Sequence, residues 1–326
     1  MTRVRVAAVQ AEPVWFDLAA TTDKTIALIA EAAEAGAELI AFPETWLPGY
    51  PLFLWSHNVP EQMPLVMRYR ANSPQLDGKE LTAIKNAARR HSITVVLGLS
   101  EKDHGSLYMS QAIVGADGDL LQHRRKLKPT HMERTLFGEG DGSGLHVVDS
   151  SVGRIGALNC WEHLQPLVKF TMYAQHEQIH IAAWPAFGDL FEQLSADASM
   201  AISRTFALEG SAFVIVSNLV MCNLPGEEGR GSGGGVARVY APDGALLTEP
   251  LDVHTEGIVY ADIELDDIEH AKAFADPVGH YSHPDVFRLL VDRTARSPAA
   301  LNGPIEATNS RSSLDETLDA TQPATS

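Results

Sequence analysis

Six short apolar runs, at residues 4–10, 39–42, 94–100, 154–160, 179–184 and 212–218, recur along the chain. A strand with one wet face alternates apolar with polar residues; near-continuous runs of this length read as strands covered on both faces. Between them the period changes. Thr21 or Thr22 is placed to cap a helix whose Ile26, Ile29, Ala30 and Ala33 share one face, and Gly36 ends it. Helical spacing returns at 78–91, at 162–175 and at about 193–209. Strands alternating with helices predict an α/β domain. Two Asp-Gly turns, at 115–119 and 242–244, lie between strand-like segments (107–114 with 120–125, 236–240 with 245–248) and predict hairpins. The sheets are therefore expected to be mixed. A last strand at 257–264 and a short helix at 266–274 complete a single domain over residues 1–290.

The 326 residues are 45% hydrophobic, enough for a substantial core. A formal charge of −17 argues against non-specific nucleic-acid binding and leaves a small-molecule or protein partner. No apolar run is long enough for a membrane span. Residues 1–10 are short and interrupted by Arg3 and Arg5, unlike a secretory leader, and Cys160 and Cys222 form no disulfide framework. A cytoplasmic protein is expected. Residues 291–326 turn to Ala, Ser, Thr, Pro and Asn with scattered acids, above all from Ser297, and are expected to be a disordered tail.

Cys160 lies where the 154–160 strand ends and the 162–175 helical pattern begins. Unpaired amides at a helix start favour a thiolate, so the place suits a nucleophile. A small buried hydrophobe is the alternative for a lone cysteine. Glu44 and Lys126 also lie just past strand ends, the rim where α/β sheets collect ligands and catalytic groups. Each alone has an ordinary reading: a solvated acid, or one cation of the basic run Arg124-Arg125-Lys126-Leu127-Lys128. Together they supply a thiol, a base to deprotonate it and a cation for developing charge. The stretches 45–55 and 126–144 are rich in turn formers and long for simple connections, as binding loops are. The glycine-rich 226–235 segment lacks the Lys-Ser/Thr and helix of a phosphate loop.

Three blocks resemble those of the nitrilase superfamily, in family order: Phe42-Pro43-Glu44-Thr45-Trp46-Leu47-Pro48-Gly49-Tyr50-Pro51, Arg124-Arg125-Lys126-Leu127-Lys128-Pro129-Thr130-His131-Met132-Glu133-Arg134, and Asn159-Cys160-Trp161-Glu162-His163. Cys-Trp-Glu-His, together with the run Ala174-Gln175-His176-Glu177-Gln178-Ile179-His180-Ile181-Ala182-Ala183-Trp184-Pro185, looks most like the nitrile- and cyanide-hydrolysing branch. The resemblance implies a four-layer α-β-β-α sandwich of two mixed sheets. It implies Cys160 as nucleophile, Glu44 as base, Lys126 as cationic acid and Glu133 as a second glutamate beside the lysine. Lys128 competes for the lysine's role; the family places that residue directly before Leu-x-Pro-Thr, which selects Lys126. The implied reaction turns a nitrile, of arylacetonitrile or aliphatic type, and water into a carboxylic acid and ammonia. It needs no metal and no organic cofactor. The isolated Cys-x-x-His of Cys160 and His163, with His131 as a possible third ligand, is a weak metal motif. Trp55, Trp161, Trp184 and Phe187, with His131, are the expected substrate-binding residues; plain core aromatics are the alternative reading. A homo-oligomer built from dimers, extended in some relatives to spirals, is implied as well. Cyanide or amide hydrolysis is the alternative within the superfamily. A non-catalytic scaffold with a redox-sensitive Cys160 is the alternative from another class, and an intact base, cation and thiol count against it.

Overall fold

A computed structural model describes residues 3–186, 192, 195–221 and 234–297. Chain order begins β1 (Arg3–Ala11), α1 (Leu18–Glu34), β2 (Leu39–Ala41), α2 (Phe53–Ser56), α3 (Val59–Ala71), α4 (Lys79–His91) and β3 (Thr94–Asp103). The hairpin of β4 (Ser106–Val114) and β5 (Leu120–Arg125) follows, then β6 (Val148–Ser150), β7 (Gly153–Asn159), α5 (Pro166–Tyr173) and β8 (Ile179–Trp184). Last come α6 (Ala196–Gly210), β9 (Phe213–Leu219), β10 (Arg238–Tyr240), β11 (Gly257–Glu264) and α7 (Asp267–Phe274).

The strands make two mixed layers. In one, β1, β2 and β3 run parallel, with β4 and β5 antiparallel beyond β3 and β11 antiparallel on the far side of β1. In the other, β7, β8 and β9 run parallel, flanked by antiparallel β6 and β10. A two-residue ladder, Gln10 with Asn218 and Ala11 with Leu219, joins them into one hydrogen-bonded path. Alternation along each strand explains the apolar runs. Val4, Val6 and Ala8 of β1 and Leu39 and Ala41 of β2 face Ile155, Ala157, Ile179, Ile181, Phe213 and Ile215 of the other layer. The intervening Ala7, Val9, Ile40, Val95 and Leu97 meet Ile29 of α1 and Leu81, Ile84 and Ala87 of α4. Leu158, Ala182, Val214 and Val216 meet Val168 and Met172 of α5 and Phe206 of α6. Every central strand thus buries both faces, and the order of layers is α-β-β-α.

Several local expectations shift. Asp17, not Thr21 or Thr22, caps α1, its side chain accepting from Ala20 N. Thr21 and Thr22 lie a turn inside, their hydroxyls donating to the carbonyls of Asp17 and Leu18. The stretch 45–55 is largely buried, and it leads into the single-turn α2 and then α3, whose polar sequence hid it. The second Asp-Gly turn forms, but past it only Leu246 bridges to Tyr240, so 245–248 is no strand. The helix expected after Cys160 divides. Cys160–Leu164 is a 3-10 turn, and α5 starts only at Pro166, a residue suited to a first helical position. Within the segment expected to be a tail, Asp292 packs against Gly142 and Arg293 reaches His146. Residues 298–326, Cys222 and most of the 226–235 loop lie outside the described residues.

Candidate active site

Glu44, Lys126 and Cys160 project from the carboxyl ends of β2, β5 and β7. The chain leaving β2 crosses over β3 at Gly98, where a Cβ would overlap the Pro43 carbonyl oxygen. Only glycine allows that approach. Trp46 Nε1 then donates to Thr25 Oγ1 at 2.7 Å, and Ser217 Oγ donates to Phe42 O at 2.9 Å, so the Glu44 turn is pinned from α1 and from the second layer.

Lys126 is wholly buried between two carboxylates: Nζ donates to Glu44 Oε1 at 2.9 Å and to Glu133 Oε2 at 2.7 Å. Burial opposes its charge, but Glu133 and Glu44 outweigh that and raise its pKa above the ordinary lysine value. Lys126 therefore holds its proton and acts as a fixed cation. Lys128 points out to solvent, half exposed, and pairs with Glu139. Strand-like spacing would have put the two lysines on one side, but β5 ends at Arg125 and the alternation ends with it.

The two glutamates differ in their oxygens. Glu133 accepts from Lys126, from Thr130 N at 2.6 Å and from Tyr50 Oη at 2.8 Å. Glu44 spends one oxygen on Lys126, and its buried Oε2 has no hydrogen-bonding partner among the described residues. Burial, with Glu133 adding, pushes the Glu44 carboxyl up to about 8 against the pull of Lys126. A buried acid with one free oxygen and a pKa near neutrality has the properties of a general base.

Cys160 is buried with a left-handed backbone, φ 46°, a strain on the order of 1–3 kcal/mol for a non-glycine residue. Burial first, and then Glu44, raise its thiol well above the ordinary value, while Lys126 and the Trp161 backbone amide pull the other way. The thiolate expected from a helix start is thus corrected. The turn after Cys160 is a 3-10 turn and not the start of an α-helix, and burial with Glu44 works against a thiolate there.

Two further pieces were missed from sequence. Arg124, buried, donates to both oxygens of Glu162 at 2.9 and 2.6 Å and to Gln111 Oε1 at 2.8 Å. Glu162 also accepts from Asn159 N and Leu127 N, both at 2.8 Å. One carboxylate therefore ties the residue before Cys160 to the residue after Lys126. Burial opposes the charge of Glu162, yet Arg124 and these amides hold its pKa below the ordinary value. The second piece is Tyr50, between Glu133 and Trp55, whose Nε1 donates to the Tyr50 hydroxyl at 3.3 Å. A tyrosine in a loop of prolines and glycines was the available signal.

The expected substrate-binding residues separate. Trp55 is half-buried and stacks on exposed His131, centroids 5.4 Å apart, beside Tyr50. Trp161 is half-buried against the helix-side core. Trp184 is a correction: it is fully enclosed, stacked on His163 and donating to Ser203 Oγ at 3.1 Å, a core aromatic rather than a pocket wall. Phe187 lies outside the described residues. His163 is engaged at both ring nitrogens, by Cys160 O and by His180, which takes it from any metal set.

Fold and site together define an α-β-β-α sandwich protein with a buried Glu-Lys-Glu cluster in the same site as a buried cysteine. The chain matches the carbon-nitrogen hydrolase family over residues 5–273 and belongs to it. It is 48% identical to an arylacetonitrilase of Aspergillus kawachii (strain NBRC 4308) over 310 residues, 90% of this chain and 94% of the relative. It is likewise 48% identical to an aliphatic nitrilase of Rhodococcus rhodochrous over 307 residues, 90% of this chain and 84% of the relative. The fold is similar to that of a carbon-nitrogen hydrolase from Helicobacter pylori G27, with a TM-score of 0.71 at 21% identity, covering 87% of this chain and 96% of that one.

Proposed function

We infer that the protein hydrolyses organic nitriles, of arylacetonitrile or aliphatic type, to the carboxylic acid and ammonia. The observation that carries this reading is the buried cluster itself: Glu44, whose Oε2 has no hydrogen-bonding partner among the described residues, with Lys126 and the buried Cys160. Glu44 takes the Cys160 proton as Sγ bonds to the nitrile carbon. One π bond of the triple bond opens onto nitrogen, which receives the proton from Glu44 and gives a thioimidate. Water, deprotonated by Glu44, adds to that carbon; the nitrogen leaves as ammonia and a thioester remains. A second water releases the acid and returns a proton to sulfur. Net, one nitrile and two waters become one acid and one ammonia. Lys126 and the Trp161 amide stabilise negative charge on nitrogen and then oxygen, with Lys126 keeping its proton throughout. Glu133, itself held by the Tyr50 hydroxyl, keeps Lys126 in place. Trp55, His131 and Trp161 border the site and are proposed to receive the nitrile's side group.

Self-association into a homo-oligomer is part of the proposal. Leu167 and Phe274 are strongly exposed apolar side chains on α5 and α7, and light scattering tests it. The activity test is ammonia release from arylacetonitriles, aliphatic nitriles, cyanide and the matching amides. We expect turnover of nitriles and none by Cys160→Ala, which keeps the fold. Turnover of amides alone, or ammonia release by Cys160→Ala, would overturn the reading.

A further inference from the structure

Behind Cys160 lies a second buried polar line that the mechanism above does not use. His163 Nδ1 is 2.6 Å from Cys160 O, His163 Nε2 is 2.8 Å from His180 Nε2, and His180 Nδ1 is 2.7 Å from Glu177 Oε1. All three side chains are at most 2% exposed. Phe206 packs on both rings, and Trp184 stacks on His163. The carboxyl of Glu177 sits against Gly156, whose Cβ would overlap Oε1, so the sequence leaves the space for it.

The protons of this line follow from its first member. A carbonyl oxygen only accepts, so the hydrogen of His163 is on Nδ1. In a neutral ring Nε2 is then an acceptor, and His180 must donate to it from its own Nε2. That leaves His180 Nδ1 bare, facing Glu177 Oε1, and the hydrogen between them comes from the glutamic acid. We propose that Glu177, His180 and His163 form a one-way donor chain, with Glu177 protonated at its far end, that positions Cys160 by holding its carbonyl in the left-handed turn. The proposal rests on Cys160 being the nucleophile.

The surroundings favour the neutral form. Glu177 is raised well above the carboxylate range by burial, opposed only by the Gly156 amide. His163 and His180 are both lowered by burial, His163 further by His180 and His180 further by Arg124. The charged groups facing the chain are Arg124 and Glu162, which are paired with each other. Tyr173, packed on Phe206, feels Glu177 as well.

His163→Asn and His163→Leu differ little in shape, but only Asn can donate to Cys160 O. The test is the rate of Cys160 alkylation by iodoacetamide, followed by mass spectrometry on its peptide across pH, beside kcat and KM for a nitrile the parent turns over. Alkylation needs no nitrile, so it reads the chain even if the hydrolysis reading fails. We expect His163→Leu to lose roughly tenfold or more in alkylation rate and in kcat with KM little moved. His163→Asn should stay within a few-fold of the parent. Glu177→Gln, whose amide is a neutral donor like the acid, should keep both the rate and its pH profile, and this holds whether or not the Leu variant folds. An Asn variant as slow as Leu, or a Glu177→Gln variant with a collapsed or pH-shifted rate, overturns the chain.

Discussion

Three buried ionisable side chains and one thiol share the site, and their charges are unequal: two carboxyls face a single ammonium. Burial disfavours the uncompensated negative charge, so below about pH 8 a proton is retained on the cluster, and the oxygen of Glu44 left without a partner among the described residues is where it can sit. The sign of the resulting pH dependence follows. A folded pKa of about 8 against an ordinary 4.5 means that Glu44's contribution to stability is full below about 4.5 and is lost as pH rises through about 8. Its carboxylate, the form that acts as base, grows over the same window. Activity and this part of stability should thus move in opposite directions. We expect kcat/KM to rise with pH along a limb far above the ordinary glutamate range, and Glu44→Gln to abolish turnover while flattening the slope of stability between those pH values. A pH–rate profile and urea melts at stepped pH check both; an acid limb near the ordinary 4.5 would refute the burial argument. The lysines make a second test. Lys126→Met removes a preorganised donor, expected to cost about a hundredfold or more in kcat, and it strands two buried carboxylates. Lys128→Met loses only a surface pair, worth about 0–1 kcal/mol. Assays at matched folded concentration should show the first nearly inactive and the second close to the parent. Lys126→Arg should not restore activity, because a planar guanidinium cannot take an ammonium's position between the two acids.

At the scale of elements, the site depends on how the ends of β5 and β7 are held together. Glu162 accepts from the backbone on both sides of that gap and from Arg124, so the ion pair works as a clamp between elements. Breaking one half of a buried pair leaves a lone charge and costs about 3–5 kcal/mol, whereas removing both halves is often far less harmful. Arg124→Met and Glu162→Met should therefore each lower the urea midpoint strongly, with the double variant nearer the parent than the two single losses would add up to. Activity should not follow stability back. In the double variant, Asn159 N and Leu127 N still lack their acceptor, so Cys160 and Lys126 lose their fixed spacing. A double variant as active as the parent would show that the clamp serves stability alone.

For the whole molecule, the placement of catalysis within the chain is the relevant fact. Glu44, Lys126, Glu133 and Cys160 all precede α5, and the family match ends at residue 273. A chain cut after residue 297 should keep nitrile hydrolysis within a few-fold, any effect appearing as a smaller assembly in light scattering. A cut protein of unchanged size but without activity would mean that the final segment reaches the site.

The layers were legible in the sequence for a simple reason. A strand buried on both faces must be apolar at successive positions, so β1, β3, β7, β8 and β9 announced themselves as runs, and the Asp-Gly turn announced the β4–β5 hairpin. Residues at strand ends stood out by type, which brought Glu44, Lys126 and Cys160 forward. Local pattern carried less where polar side chains formed helices, as in α3, or where a side chain folded back on its own turn. Glu162 binds Asn159 N and so closes a 3-10 turn that spacing alone read as the start of a helix. Other features depended on partners far along the chain. Lys126 and Glu44 meet across 82 positions, and Tyr50 and Glu133 across 83. Whether Lys126 or Lys128 is buried, whether Trp184 lines a pocket or fills a core, and which way protons point along His163, His180 and Glu177 are matters of packing and of which donors each atom meets. Periodicity records which face of an element avoids water. Only the folded chain decides which buried polar atoms find each other, and the chemistry of this site lies in those pairings.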